Sequence, residues 1–203
     1  MKIAVIGASG RAGSRIIDEA LKRGHTVTGI ARNPEKIAAR AGVAAKKGDL
    51  NHAESLTPIL KGHDAVISAA RFVGANAASL IEAVRKAGVK RLLVVGGAAS
   101  LEVAPGAMLL HAPTFPEVAK PEATAGFEFL KVLRGEKELD WVFVSPGALL
   151  APGERLGKYR LGKDQLLKDE SGKSSISMED FAIAMIDELE KPKHHRQRFH
   201  VAY

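Results

Sequence analysis

Glycines at positions 7, 10 and 13 follow the apolar run Ile3-Ala4-Val5-Ile6 with the spacing G-x-x-G-x-x-G. Residues of this type and spacing can hold a pyrophosphate. Glycines let the backbone turn sharply and approach phosphate oxygens, and the helix that follows offers unpaired N–H groups at the positive end of its dipole. Ser14 to Arg23 has the helical spacing this requires, with Ile16, Ile17, Ala20 and Leu21 on one face. The segment Gly7-Ala8-Ser9-Gly10-Arg11-Ala12-Gly13 is therefore a candidate dinucleotide site, because it sits between a strand pattern and a helix pattern.

The second strand pattern, His25 to Ala31, ends in Arg32-Asn33-Pro34-Glu35-Lys36. An acidic residue at this point bonds the ribose hydroxyls of NAD, and a basic one accommodates the 2′-phosphate of NADP. The position carries Arg32, and Arg11 inside the glycine turn adds a second cation. Both point to NADP(H) in preference to NAD(H). Asn33-Pro34 has the form of an N-cap and first-turn proline for a short helix over residues 34–40.

In open parallel sheets, ligands lie beyond the carboxyl ends of the strands, so the residues just past each strand are the ones to weigh. After the third strand, Asp49 can accept from an adenine amino group with Leu50 beside the ring; a turn aspartate is the plainer alternative. Ser68, Ala69 and Ala70 after the fourth strand are small enough for a cofactor to lie against the backbone. Gly96 and Gly97 do the same after the fifth, where a nicotinamide would arrive, and Pro146 follows the sixth. Ser100 can donate to a substrate carbonyl, and His111 is a candidate acid or substrate contact. Phe72 and Phe115 are candidate walls for a flat aromatic ligand, with core packing as the alternative. No residue set has the spacing of a metal site.

The elements that position these residues alternate. Strand patterns at residues 43–46, 64–69, 91–95 and 140–144 are separated by helical patterns at 54–60, 77–87 and 122–134, which argues for βαβ units. The expected fold class is α/β, a Rossmann-type doubly wound parallel sheet with helices on both faces and a small C-terminal lid-like segment. One domain spans 1–203, with a cofactor core to about residue 150 and a substrate-side segment over 151–203. Residues 101–121 lose periodicity among prolines and read as a long functional loop. Residues 154–169 read as short strands or a hairpin. Ser177 caps a helix running to Glu190, and residues 198–203 form a last strand.

The 203 residues, 46% hydrophobic and 26% charged, suit a globular protein with a buried core. The absence of cysteine excludes disulfides, cysteine nucleophiles and thiolate metal sites. No apolar run reaches the length of a membrane span, and the N-terminus enters the first strand directly, so neither membrane association nor a signal peptide is expected and the location expected is the cytoplasm. The net charge of +7 is spread along the chain, with one dense patch over residues 191–198. Solvated surface and attraction to an anionic cofactor account for this charge, and no nucleic-acid partner is expected. A small-molecule acceptor is the expected partner, with the chain a monomer or homodimer.

Residues 6–13, 31–36, 140–147, 152–160 and 175–182 with Arg198-Phe199 together resemble the atypical short-chain dehydrogenase/reductase group, specifically its small NAD(P)H-binding, NADH-flavin reductase-like family. The resemblance spans essentially the whole chain. It implies NAD(P)H binding by Gly7, Ser9, Gly10, Arg11, Gly13, Arg32, Asp49 and the Ser68–Ala70 strand end. It implies little about substrate, since the group contains reductases, isomerases and non-catalytic redox sensors. One departure stands out. The wider superfamily carries Y-x-x-x-K on the helix between the fifth and sixth strands, where the lysine lowers the tyrosine pKa for proton transfer. Here that helix reads Glu122-Ala-Thr-Ala-Gly-Phe-Glu-Phe-Leu-Lys131, without tyrosine. Tyr159 and Lys163 match the spacing only after the sixth strand, where the match is a coincidence.

The first reading is an NADPH-dependent reductase of a flat diffusible acceptor such as flavin or quinone, with flavin a substrate and not a bound cofactor. Such acceptors need positioning more than a dedicated acid. The alternative is a non-catalytic NADP(H) sensor acting on a protein partner. A sugar-nucleotide-type epimerase or isomerase is third, lacking a convincing base. An open slot lined by Gly97, Ser100, Phe72 and the 101–121 loop would favour the reductase, and a closed one the sensor.

Overall fold

The computed structural model describes Met1–Tyr203. In chain order it contains β1 (Lys2–Ile6), α1 (Arg11–Lys22), β2 (Thr26–Ala31), β3 (Val43–Lys47), α2 (Ala53–Leu60), β4 (Ala65–Ser68), α3 (Ala77–Lys86), β5 (Arg91–Val95), β6 (Glu102–Ala104), β7 (Ala107–Met108), α4 (Lys120–Gly135), β8 (Asp140–Pro146), β9 (Leu149–Ala151), β10 (Arg160–Gly162), β11 (Ser175–Ser177), α5 (Met178–Glu190) and β12 (Gln197–Ala202). The central eight-stranded sheet has the order β10-β12-β8-β5-β4-β1-β2-β3. Its pairs are parallel except β10 with β12. The chain winds outward from β1 through β2 to β3, then crosses back to lay β4 on the other side of β1. The strand order reverses there, and a crevice opens between β1 and β4.

Both faces of the sheet are covered, which is why the strands read as continuous apolar runs. Ile3 and Val5 face a layer made by Ile16, Ile17 and Ala20 of α1 and by Phe181, Met185 and Ile186 of α5. Ala4, Ile6, Val94 and Phe143 face Leu56 and Leu60 of α2, Leu80 and Val84 of α3, and Phe129, Leu130 and Leu133 of α4. Each fully buried leucine, isoleucine or phenylalanine contributes roughly 1.5–3 kcal/mol. The caps follow local chemistry. Asn76 accepts the Ser79 N–H at the start of α3, and Ser177 accepts the Asp180 N–H at the start of α5.

The structure departs from the sequence pattern at several points. Residues 34–40 hold only a single 3₁₀ turn at Pro34–Lys36, and the Asn33 side chain makes no cap bond. The chain leaves that turn at Ile37, which is extended and buried in the core beside Ala8. Burial of Ile37 outcompetes a longer surface helix. The 101–121 segment is not an unstructured loop: it contains the β6–β7 hairpin and 3₁₀ turns at Leu109–His111 and Glu117–Ala119. β8 runs to Pro146 instead of stopping at residue 144, because β12 pairs with it from Val142 to Pro146. Of the short strands or hairpin expected at 154–169, one short strand forms, β10, and it pairs with β12 rather than with a neighbour in sequence. Residues 151–203 are also more than a lid. α5 and β12 belong to the central layers, and α5 packs along α1.

Candidate functional site

β1 ends at Ile6, and the chain turns at Gly7 with a left-handed φ of 78°. A Cβ at Gly7 would lie 2.6 Å from the Ala69 carbonyl oxygen just past β4, so the turn admits glycine only. A Cβ at Gly13 would collide with the Gly7 carbonyl oxygen, and its bare Cα lets α1 start against the turn. The Gly10 N–H donates to the Gly7 carbonyl at 2.9 Å, and the Ser14 N–H to the Gly10 carbonyl at 2.9 Å. No side chain caps α1, and its first turn holds no acidic residue. The N–H groups of Arg11, Ala12 and Gly13 therefore precede the first intrahelical bond and are available to an anion. This arrangement fits a pyrophosphate.

Two cavities meet over the turn. The first, about 390 Å³, is lined by Gly7, Ser9, Gly10, Arg32, Asp49 and Leu50, among others. The second, about 750 Å³, is lined by Gly10, Arg11, Ala12, Phe72, Gly96, Gly97, Ser100, Phe115 and Pro146, with further apolar residues. Gly10, Ala69, Ala70 and Arg71 line both, so the cavities are two arms of one groove along the carboxyl ends of the strands.

In the smaller arm, one Asp49 oxygen accepts the Asn51 N–H at 3.0 Å. The turn role takes one oxygen of the carboxylate, and no hydrogen bond within the chain takes the other. Asn51 donates to the Gly74 carbonyl at 2.8 Å and accepts the Asn76 N–H at 2.8 Å. It stitches the loop after β3 to the loop after β4 and keeps this wall in shape. Arg32 is exposed on the rim.

The larger arm is mostly apolar. The Phe72 ring stacks on Phe143 at 5.8 Å between centroids and tilts against Phe129 at 5.3 Å. Glu122, in the first turn of α4, accepts the N–H groups of Phe72 at 2.6 Å and Val73 at 3.2 Å. One carboxylate thereby holds the loop that walls both arms. Ser100 is buried, and its hydroxyl accepts from Arg198 Nη1 at 3.1 Å. His200 is buried two residues along β12 and donates through Nδ1 to the Ser145 carbonyl at 2.9 Å. Burial, with Arg198 and Arg160 nearby, holds its imidazole below the ordinary histidine pKa.

Ala8, Gly13, Ser68 and His111 do not line the groove. The Ala8 methyl is in the core, and its N–H donates to the Ile30 carbonyl at 3.2 Å. Gly13 packs on the turn instead of lining it. Ser68 is buried inside β4. His111 is exposed because Leu110 takes the buried place on their 3₁₀ turn. Within the basic patch at 191–198, His194 bonds Glu188, His195 bonds Asp140 and Arg198 bonds Asp164, while the side chains of Lys191, Lys193 and Arg196 make no ion pair.

Residues 7–192 match the family model described as NAD(P)H-binding. The chain belongs to this NAD(P)H-binding family. A 41% identical relative, aligned over 99% of this chain and 98% of its own length, is YwnB of Bacillus subtilis (strain 168), named as an uncharacterized protein. A Bacteroides thetaiotaomicron structure provisionally named an epimerase is 48% identical with a TM-score of 0.94, covering 100% of this chain and 96% of its own. A Streptococcus pneumoniae structure provisionally named an NADH-flavin reductase is 38% identical with a TM-score of 0.82, covering 100% of this chain and 99% of its own. The NAD(P)H-binding assignment and the reductase-like resemblance therefore stand on the whole chain.

No tyrosine lines the groove. Tyr159 donates its hydroxyl to Asp187 on α5, and burial together with that bond raises its pKa. Asn51, Arg71, Glu122, Phe127 and Met178 also line the groove, and none of them belongs to a binding or catalytic motif in the sequence. Glu122 alone had a local signal, a carboxylate in a helix first turn. The others come to the groove from surface loops or apolar helix faces that look like ordinary packing.

Proposed function

We propose that the protein is an NADPH-dependent reductase that delivers hydride to a flat, diffusible acceptor such as a flavin or a quinone. The observation that carries this reading is the continuity of the groove. The smaller arm, with Arg32 on its rim and Asp49 and Leu50 on its wall, suits the adenosine end. The turn suits the pyrophosphate. The larger arm opens beside Gly96 and Gly97 and is walled by Phe72, Phe115 and Phe127. When bound there, the nicotinamide supplies the hydride. The chain's own residues orient the two partners: Gly10 and the start of α1 take the phosphates, the glycines allow close approach of the ring, and the aromatic wall excludes water and stacks the acceptor.

The larger arm is open to a diffusing ligand, which favours the reductase over a sensor that hides its nicotinamide. The epimerase reading requires a base at the nicotinamide. Glu122 is the carboxylate lining the larger arm, and it is committed to the N–H groups of Phe72 and Val73. Oxidation of NADPH and NADH, followed by loss of nicotinamide absorbance with FMN, FAD and a simple quinone, tests the proposal. Acceptor-dependent turnover that prefers NADPH supports it. Tight NADPH binding with no turnover on any acceptor overturns it in favour of a sensor.

A further inference from the structure

The hydrogen-bond arithmetic at Ser100 assigns a role to a residue on a different element. A serine hydroxyl has one proton to give and can accept twice, whereas a guanidinium only donates. Arg198 Nη1 donates to Ser100 Oγ at 3.1 Å, so the serine proton cannot be spent on that contact. Ser100 also lines the larger arm of the groove. Arg198 is itself held firmly. Its Nε donates to Asp164 Oδ1 at 2.9 Å and its Nη2 pairs with the same oxygen. The Asp164 carbonyl accepts the Glu102 N–H at 2.8 Å, and the Glu102 carbonyl accepts the Leu166 N–H at 2.8 Å. Arg198 thus joins β12, the segment around residue 164 and the base of the β6–β7 hairpin to the turn that carries Ser100.

We propose that Arg198 is a positioning residue that occupies an acceptor lone pair of Ser100 and leaves its hydroxyl proton to donate to a carbonyl of the acceptor in the larger arm. This rests on the reductase reading and deepens it: the acceptor class is a flat ring carrying an electron-poor carbonyl, which the donated bond polarises as hydride arrives. A charge-assisted contact also makes the serine a better donor, because its oxygen is polarised by the cation behind it. Arg198 touches neither acceptor nor cofactor, so its effect must pass through Ser100.

A double-mutant cycle reads that dependence. NADPH oxidation with FMN and with a simple quinone is measured for the wild type, Ser100→Ala, Arg198→Met, Arg198→Lys and the Ser100→Ala/Arg198→Met double variant. Ser100→Ala is expected to lower kcat/KM for the acceptor about tenfold, the scale of one charge-assisted bond, and Arg198→Met by a similar or smaller factor, because its effect passes through Ser100. The double variant should lie within about twofold of Ser100→Ala alone, Arg198→Lys should retain part of the activity, and the NADPH Kd should stay within about twofold throughout. Losses that multiply in the double variant, or an NADPH Kd that weakens in step with turnover, overturn the proposal. If Arg198→Met does not fold, the cycle is run with Arg198→Lys. If the wild type binds NADPH but turns over no acceptor, the reductase reading has failed separately. The same cycle is then read from FMN Kd values by fluorescence quenching, and absence of FMN binding, or independence of the two residues, overturns the positioning role.

Discussion

Replacing Arg32 by glutamate tests the proposed NADPH preference where the sequence first suggested it. Arg32 is exposed at the end of β2, on the rim of the arm that holds Asp49 and Leu50. On the proposed reading, a 2′-phosphate seated there would lie against the Arg32 guanidinium. Two unit charges about 4 Å apart interact by about 1 kcal/mol in bulk water and about 4 kcal/mol at the effective dielectric near a protein surface. Exposure and salt pull the value toward the lower end, so about 1.5–3 kcal/mol is expected for a charge-assisted contact with the phosphate. At 1.4 kcal/mol per tenfold, Arg32→Ala should weaken NADPH binding by about 10- to 100-fold. Arg32→Glu adds repulsion and should weaken it further, while NADH affinity changes by less than about threefold. Titration calorimetry with both nucleotides, at low and moderate salt, separates these effects. The NADPH penalty should shrink as salt rises. Equal losses for NADPH and NADH, or an unchanged preference, would show that Arg32 does not read the 2′-phosphate.

Further perturbations probe other parts of the site. Gly7→Ala forces a side chain into a left-handed turn and against the Ala69 carbonyl; thermal melts should show a loss of about 2–4 kcal/mol, and NADPH binding should collapse. A Gly7→Ala protein that binds NADPH normally would mean the turn is not the cradle. Glu122→Ala strips the N–H groups of Phe72 and Val73 of their acceptor; it should cost about 1–3 kcal/mol in stability and raise the KM values for both nucleotide and acceptor, because the loop walls both arms. His200 has a folded pKa below its unfolded value, so its neutral form contributes stability that is complete above the ordinary histidine pKa of about 6.5 and declines as pH falls below it. Urea melts from pH 7.5 to 5 should show this decline, and His200→Leu should flatten it; an equal slope in the variant would assign the acid sensitivity to other groups.

Much of the site was legible because its chemistry depends on backbone geometry encoded locally. Gly7 and Gly13 must be glycine for reasons that act within the turn and its nearest strand, and the helix after them needs only its own periodicity. The Ser177 cap and the runs of β1, β5 and β12 were readable for the same reason. Reading failed where a distant contact overrode a local preference. Ile37 gave up a surface helix for the core. Residues 154–169 carried turn signals suited to short strands or a hairpin, and the one strand there, β10, found its partner in β12, far along the chain. His111 had the chemistry of an acid, but its neighbour Leu110 had the stronger claim on the interior. Glu122 and Asn51 left little trace in the sequence, because their partners are the backbone N–H and carbonyl groups of loops far from them in the chain.

The amino-acid sequence by itself determined the alternating strands and helices, the glycine turn and the cation at the end of β2. These arise from periodicity and steric limits that act over a few residues. The tertiary structure alone decided that the two arms form one groove, that Glu122 shapes it from α4, and that Arg198 stands behind Ser100. Each depends on strand order and on side chains meeting across the sheet. Such contacts are set by the burial of the whole core, and no local spacing records them.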